Sequence, residues 1–374
     1  MKKRRIVLAS ILKPVDETRM FEKLGITLAD TGKFDVFILG AHSAQKTVYA
    51  GIQFLSFPPF QRLSLHRVAA PWKVLRKLIQ IKPDLIIICT HELLLITLVY
   101  RMLFKSKVIY DIQENYFRNI LHTQAFPVVV RNLVAGWVRL KEKFAAPFID
   151  WFFLAERGYE KEFSFFKNRY TVIQNKFRKP PEFIRRPVTE KIQLLFSGTL
   201  SGSTGVFEAI RLAKQLHDED TNIELFIVGY CAQPAVLAAI RKDISMHSFI
   251  LLIGGDQSVP HGEIMAAISR AHFGIVCYPS SPHTENSIPT KLYEYMGCEL
   301  PILLQNYKPW IELTSPYPAA VVIDNFEHVY ASHVLETMKQ TAFYTNAPAD
   351  VYWDSEVPKL LNAIQNLFMS REYK

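Results

Sequence analysis

Four cysteines in 374 residues, Cys89, Cys231, Cys277 and Cys298, are too few and too scattered for a disulfide framework or a metal cluster. Cys89 and Cys277 stand in apolar runs and read as buried thiols, which fits a reducing compartment. Nor is there an apolar run long enough to span a bilayer: the longest, residues 85–100, is broken by His91 and Glu92. The first residues imitate a secretion signal, with four basic side chains before the apolar segment Ile6 to Leu12. That segment is short and no small-residue cleavage site follows it, so it reads as a first β-strand. No short repeat, nucleophile triad or clear metal motif stands out. Asp218-Glu-Asp220 falls at the end of an expected helix and reads as a solvated turn.

What is present is an ordinary globular composition, 49% hydrophobic and 21% charged, with a length that suggests two domains. The charge is unevenly placed. Residues 1–186 hold 32 Lys/Arg and 15 Asp/Glu, a balance of +17, and residues 187–374 hold 12 and 20, a balance of −8. A basic half suits anionic lipid, nucleic acid or an acidic substrate. Basic side chains spread around a solvated surface are the alternative reading.

The chain alternates strand and helix signals. The first half offers strands at 5–11, 35–40, 84–89, 107–110, 150–155 and 171–174, with helices at 18–31, 72–81 and 93–103 between them. Residues 126–153 are basic and aromatic, either a membrane-surface helix or a packed helix with a solvated basic face. His91 and Glu92, and then Asp111-Ile-Gln-Glu114, stand just past strand ends, where open α/β sheets collect functional groups. Residues 177–190, rich in Pro and Arg, read as a linker between an N-terminal domain, 1–176, and a second domain, 191–347, with a final helical segment at 348–374. The second domain repeats the alternation: strands at 192–196, 223–228, 250–253, 273–278 and 301–304, and helices at 206–216, 232–245, 261–271 and 290–296. Two doubly wound, Rossmann-like α/β domains follow.

Within the last of those helices Lys291 and Glu294 lie three residues apart, on one face, just after Pro289. A helix start is an anion site. The segment therefore offers a phosphate-binding N-terminus, an ammonium and a carboxylate able to accept ribose hydroxyl bonds. A plain charge pair on an amphipathic surface helix is the other reading. The order Phe196-Ser-Gly-Thr-Leu, Leu225-Phe-Ile-Val-Gly229, Gly274-Ile-Val-Cys-Tyr278 and Pro289-Thr-Lys-Leu-Tyr-Glu-Tyr295 resembles the nucleotide-sugar-binding domain of GT-B glycosyltransferases, specifically glycosyltransferase family 4.

The resemblance implies a GT-B fold with an interdomain cleft and a C-terminal helix crossing back to the first domain. It implies a retaining, metal-independent, hexosyltransferase-like enzyme that takes a nucleotide-diphosphate sugar as substrate and has no cofactor. The acceptor would be a glycan or a lipid-linked molecule in polysaccharide or glycolipid synthesis, with no nucleic-acid partner. The expected location is cytoplasmic or peripheral on an anionic membrane surface. Donor binding would fall to Gly198, Thr199, Gly205, Gly229, Asn286, Ser287, Thr290, Lys291, Leu292 and Glu294. Acceptor binding would fall to Lys13, Arg19, Glu92, Gln113 and Glu114, and catalysis to Asp111, His91 and Asp16. Four positions depart from the family pattern: Asn286 replaces an acid, Thr199 and Thr204 stand near the places of two basic residues, and Gln113 replaces a His. The glycine-containing loop Gly198–Gly205 would then cradle phosphate by its N–H groups, with Lys291 as the main counter-charge. A nucleotide-sugar 2-epimerase of the same architecture and a non-catalytic nucleotide-sugar-binding or scaffold protein are the rival readings.

Overall fold

Each half of the chain builds one all-parallel sheet. The computed structural model describes residues 3–43, 47–58, 60, 64–122, 128–163, 165–187, 190–279 and 287–369. It divides into two units, Met1–Asn175 with Trp353–Lys374, and Lys176–Tyr352.

The first unit holds β1 (Arg4–Pro14), β2 (Phe34–Ala41), β3 (Ile52–Phe57), β4 (Leu85–Ile88), β5 (Lys107–Ile112), β6 (Trp151–Leu154) and β7 (Tyr170–Val172). Their order is β3-β2-β1-β4-β5-β6-β7. Central strands such as Leu-Ile-Ile-Ile in β4 are apolar throughout because helices cover both faces. On one face Val7, Ile86 and Val108 pack under the helices Leu65–Ile81, Leu94–Phe104 and Val128–Ala145. On the other, Ile6, Leu8 and Ile87 pack with Met20, Leu24 and the final helix Val357–Met369. Trp353 leads into that helix, is buried in the same core and donates its Nε1–H to Thr27 Oγ1 at 2.8 Å.

Two local expectations change, and one strand had none. The helix expected over 18–31 is a π-helix over Arg19–Gly25 followed by an α-helical turn, Ile26–Asp30. Gly25 sits at the join, where a Cβ would lie 2.9 Å from the Ile38 side chain. The helix expected from Trp72 starts at Leu65 and runs through Pro71. Strand β3 had no clear signal because it is an edge strand with only Ile52 fully buried.

The second unit holds β8 (Ile192–Thr199), β9 (Ile223–Tyr230), β10 (Ile250–Gly255), β11 (Phe273–Val276), β12 (Ile302–Gln305) and β13 (Ala320–Ile323), in the order β10-β9-β8-β11-β12-β13. In both sheets the order reverses beside the first strand, at β1/β4 and at β8/β11. Ligands of open α/β sheets bind outside the carboxyl ends of the strands at such a switch point. The segment expected as a linker belongs to this unit in its described part. Phe177 is buried in its core, the Arg186 N–H donates to Ser269 O at 2.7 Å, and Arg185 Nη2 donates to Ala271 O at 2.9 Å.

Candidate donor site

Near the carboxyl ends of β8, β9 and β10 a row of glycines crosses the second sheet. Gly198 on β8 pairs in register with Gly229 on β9, which pairs with Gly254 on β10. A Cβ on Gly229 would stand 1.8 Å from Gly198 O, and one on Gly254 would stand 2.4 Å from Gly229 O. Only glycine lets these backbones lie so close; Val259 fills the space at Gly254, and the space at Gly198 is open.

The loop after β8 is closed by its own bonds. Ser201 and Thr204 form a capping box, the Thr204 N–H donates to Ser201 O at 3.2 Å, and the Gly205 N–H donates to Gly202 O at 3.2 Å. Thr199 is exposed, and its carbonyl accepts from Thr204 Oγ1 at 2.7 Å. The expected cradle of N–H groups is therefore corrected in part: the Thr204 and Gly205 donors are spent within the loop. Gly205, at φ +86°, starts the Val206–Glu219 helix and leans on β11, where a Cβ would meet Cys277 O at 2.1 Å. No Lys or Arg lies between Ser197 and Gly205.

The positive charge comes from Lys291. It lies in the first turn of the Thr290–Gly297 helix, which no side chain caps among the described residues. Tyr295 ties that helix to the sheet: its hydroxyl bonds Ser197 Oγ at 2.9 Å, and its ring lies where a Cβ on Gly274 would be 2.4 Å away. Trp310 holds the segment before the helix by donating Nε1–H to Ser287 O at 2.8 Å. Lys291 is buried, with Nζ 3.9 Å from the Phe196 ring centroid and 5.1 Å from that of Tyr278. Among the described residues no group accepts a hydrogen bond from this ammonium. Burial pushes its pKa from 10.5 down to about 8, against the opposing fields of Cys277 and Glu294. A buried ammonium resting on two rings is a costly arrangement, and a bound anion would relieve it.

Glu294 stands one turn on, partly exposed, with an oxygen 3.4 Å from His261 Nε2. His261 opens the His261–Arg270 helix, so the pair links that helix start to the helix that carries Lys291. Thr290 is exposed at the helix start. Leu292 is a correction: its side chain is buried in the core and its N–H donates to Pro289 O at 2.9 Å, so it offers a ligand nothing. Asn286 lies outside the described residues. Sequence reasoning missed Phe196 and Tyr278 as partners of Lys291, because ring contacts across the sheet have no local signature.

In the first unit the candidates fall into two networks. Arg19 is buried and holds both oxygens of Asp111, Nη2 to Oδ1 at 2.7 Å and Nε to Oδ2 at 2.9 Å, while its Nη1 donates to Ile173 O at 2.9 Å. Gln113 adds a bond to Asp111 Oδ2 at 2.7 Å and is also bonded by Lys13, which pairs with Glu17 at 3.1 Å. Asp111 and Arg19 are thus corrections. The saturated buried pair joins the helix after β1 to strand β5, and each member is spent on the other. Asp16 remains partly exposed and accepts a bond from Ser43. Glu114 accepts from Asn119 Nδ2 at 3.0 Å.

The second network surrounds His91. Burial lowers its pKa to about 4, so the ring is neutral, and Lys141 Nζ lies 2.8 Å from Nδ1. An ammonium can only donate, so Nδ1 accepts and the ring proton sits on Nε2, 3.6 Å from Glu92 Oε1. The basic nitrogen, Nδ1, is already taken by Lys141, which corrects His91 as a general base. Burial pushes the Glu92 pKa up most strongly, but the charge and hydrogen bond of Arg67, which holds it, help bring it below the ordinary value.

Comparison with known proteins agrees with this geometry. Residues 179–346 match the model of the family described as Glycosyl transferases group 1. No curated protein matches the sequence. Among solved structures, the sucrose-phosphate synthase of Thermosynechococcus elongatus superposes with a TM-score of 0.72 at 11% identity, over 98% of this chain and 100% of that one. The Anabaena protein HepE, solved with UDP and glucose, gives 0.64 at 14%, over 99% and 100%. A putative UDP-N-acetylglucosamine 2-epimerase from Listeria monocytogenes gives 0.60 at 12%, over 99% and 98%. At these identities the likeness establishes the fold. The second unit, which holds the buried Lys291, thus matches the glycosyl transferases group 1 model over most of its length, in a chain with the two-domain fold of GT-B glycosyltransferases.

Proposed function

We propose that the chain transfers a sugar from a nucleotide-diphosphate sugar to an acceptor hydroxyl with retention, and that the second unit binds the donor. The observation that carries this reading is the buried ammonium of Lys291, without an acceptor among the described residues, at the start of a helix and one turn from Glu294. The diphosphate lies against Lys291 and the N–H groups at the helix start, where both charge and dipole favour an anion. Glu294 accepts the ribose hydroxyls. As the sugar departs, charge grows on the diphosphate, and Lys291 stabilises it there without reorganising. The leaving diphosphate takes the proton of the acceptor hydroxyl on the same face of the sugar, so catalysis is positioning and charge stabilisation rather than nucleophilic attack by a side chain. The reading calls for no resident metal or cofactor. In the first unit, Asp16, Lys13, Gln113 and Glu114 are the acceptor-side groups, and the acceptor is a glycan or a lipid-linked sugar.

The test is turnover of radiolabelled UDP-, GDP- and ADP-sugars with and without acceptor. Sugar transfer only when acceptor is added supports the reading. Epimer formed without acceptor points to the epimerase, and nucleotide binding without turnover to a scaffold.

A further inference from the structure

Three helices cover one face of the first sheet, and their outward surfaces are apolar where a solvated protein would be polar. The Val128–Ala145 helix buries Ala135, Val138, Glu142 and Ala145. On its other side Leu133, Trp137, Leu140 and Phe144 are all exposed, Leu133 by 74% and Phe144 by 62%. Their spacing of four, three and four residues makes one stripe along the helix. Phe148, in the turn that follows, continues it, its ring 6.2 Å from that of Phe144. The neighbouring Leu94–Phe104 helix exposes Leu95, Val99 and Met102 at the same kind of spacing, Met102 by 81%. The Leu65–Ile81 helix exposes Trp72. The first two helices pack into the sheet core, and the third joins it at Ala145 and lies against the second, so these stripes share one side of the unit. Scattered apolar residues on a surface are ordinary, but adjoining stripes of this kind mark an interaction site.

The charges around the stripes have one sign. Segments 65–81 and 94–105 contain no Asp or Glu, and the single acid of segment 128–148, Glu142, is buried. Lys73, Arg76 and Lys77 are exposed on the first helix, Lys105 at the end of the second and Lys143 on the third. Lysine is depleted from protein–protein interfaces, whereas Trp, Phe and Leu bordered by Lys and Arg is the composition of helices that lie in a membrane surface. Among the described residues no helix is long and apolar enough to cross a membrane.

We propose that this three-helix face docks on an anionic lipid bilayer, with the stripes of Trp137 and Met102 entering the headgroup boundary and the flanking lysines meeting acidic headgroups. The inference does not rest on the proposed transfer reaction, and its test involves no turnover. The full chain is sedimented with vesicles of phosphatidylcholine alone and with vesicles in which about a third of the lipid is phosphatidylglycerol, at low and high salt. Binding is expected only to the acidic vesicles, weakened at least tenfold by high salt, which screens exposed charges. The double variant Trp137→Ser/Phe144→Ser and the charge reversal Lys73→Glu/Lys77→Glu should each lose at least tenfold. Met246→Ser, an exposed apolar residue of the other unit, should change nothing, and all three should melt as the parent does. Equal binding of parent and Trp137→Ser/Phe144→Ser would overturn the proposal. So would a chain that ignores acidic vesicles and instead sediments alone as a dimer that this variant dissolves, which would assign the face to a second copy.

Discussion

Replacing Lys291 with Met should stabilise the ligand-free protein while removing donor binding. Burial lowers the lysine from its ordinary 10.5 to about 8. At 1.36 kcal/mol for each factor of ten, holding the charged form at pH 7 costs about 3 kcal/mol. Methionine keeps much of the stem and removes the ammonium. What is lost is the contact of Nζ with the Phe196 and Tyr278 rings, worth about 1–2 kcal/mol when desolvated. The net expectation is a gain of about 1–2 kcal/mol, or roughly 2–8 °C in Tm for a domain of this size. The gain has its own pH signature. A folded-state pKa below the unfolded value means that the unfolded chain holds the extra proton between pH 8 and 10.5. The parent therefore recovers about 3 kcal/mol across that window, and the variant's advantage disappears within it and reverses above it. Nucleoside diphosphate affinity, followed by calorimetry, should meanwhile fall about 10- to 100-fold with the loss of a charge-assisted contact. Calorimetric melting from pH 7 to 10.5, with and without UDP, GDP and ADP, reads both effects. A Lys291→Met variant that melts lower than the parent yet binds nucleotide as well would refute the reasoning, because Lys291 would then be a packing residue.

Three further outcomes follow from the same geometry. Donor affinity of the parent should be flat below pH 8 and fall about tenfold per pH unit above it, as free Lys291 loses its proton and the bound form keeps it; a flat profile up to pH 9.5 would speak against it. Glu294→Ala should cost donor affinity about 10- to 100-fold, with folding kept, because the carboxylate is partly exposed; unchanged binding in a filter assay would displace the ribose contact elsewhere. Asp111→Ala should leave Arg19 buried without its partner and destabilise the first unit by about 3–5 kcal/mol, with urea unfolding as the check. If instead the variant folds normally and loses only turnover, Asp111 is catalytic after all.

Much of the architecture was legible because buried parallel strands announce themselves: Leu85 to Ile88 and Leu303 to Leu304 are apolar without interruption. Edge strand β3 was not, since only Ile52 of its residues is fully buried and its pattern is mixed. The charge pair at 291 and 294 was legible from helical spacing, and its neighbourhood followed from the order of glycines after β8 and β9. What spacing could not show is who already has a partner. Arg19 and Asp111 are 92 residues apart in the chain and saturate each other. Lys141 reaches His91 from another helix and fixes its tautomer. Both pairs look like free functional groups in one dimension and are engaged in three. The reverse holds for Lys291, whose isolation above Phe196 is equally invisible in the sequence.

The most direct test of the account is the proton balance of nucleoside diphosphate binding at pH 8.5, measured by calorimetry in two buffers of different ionisation enthalpy. With free Lys291 near 8 and the bound form well above it, binding should take up about 0.7–0.8 proton. The uptake should vanish in Lys291→Met. Binding of the same nucleotide to the parent with no proton uptake would contradict the claim that Lys291 holds the diphosphate.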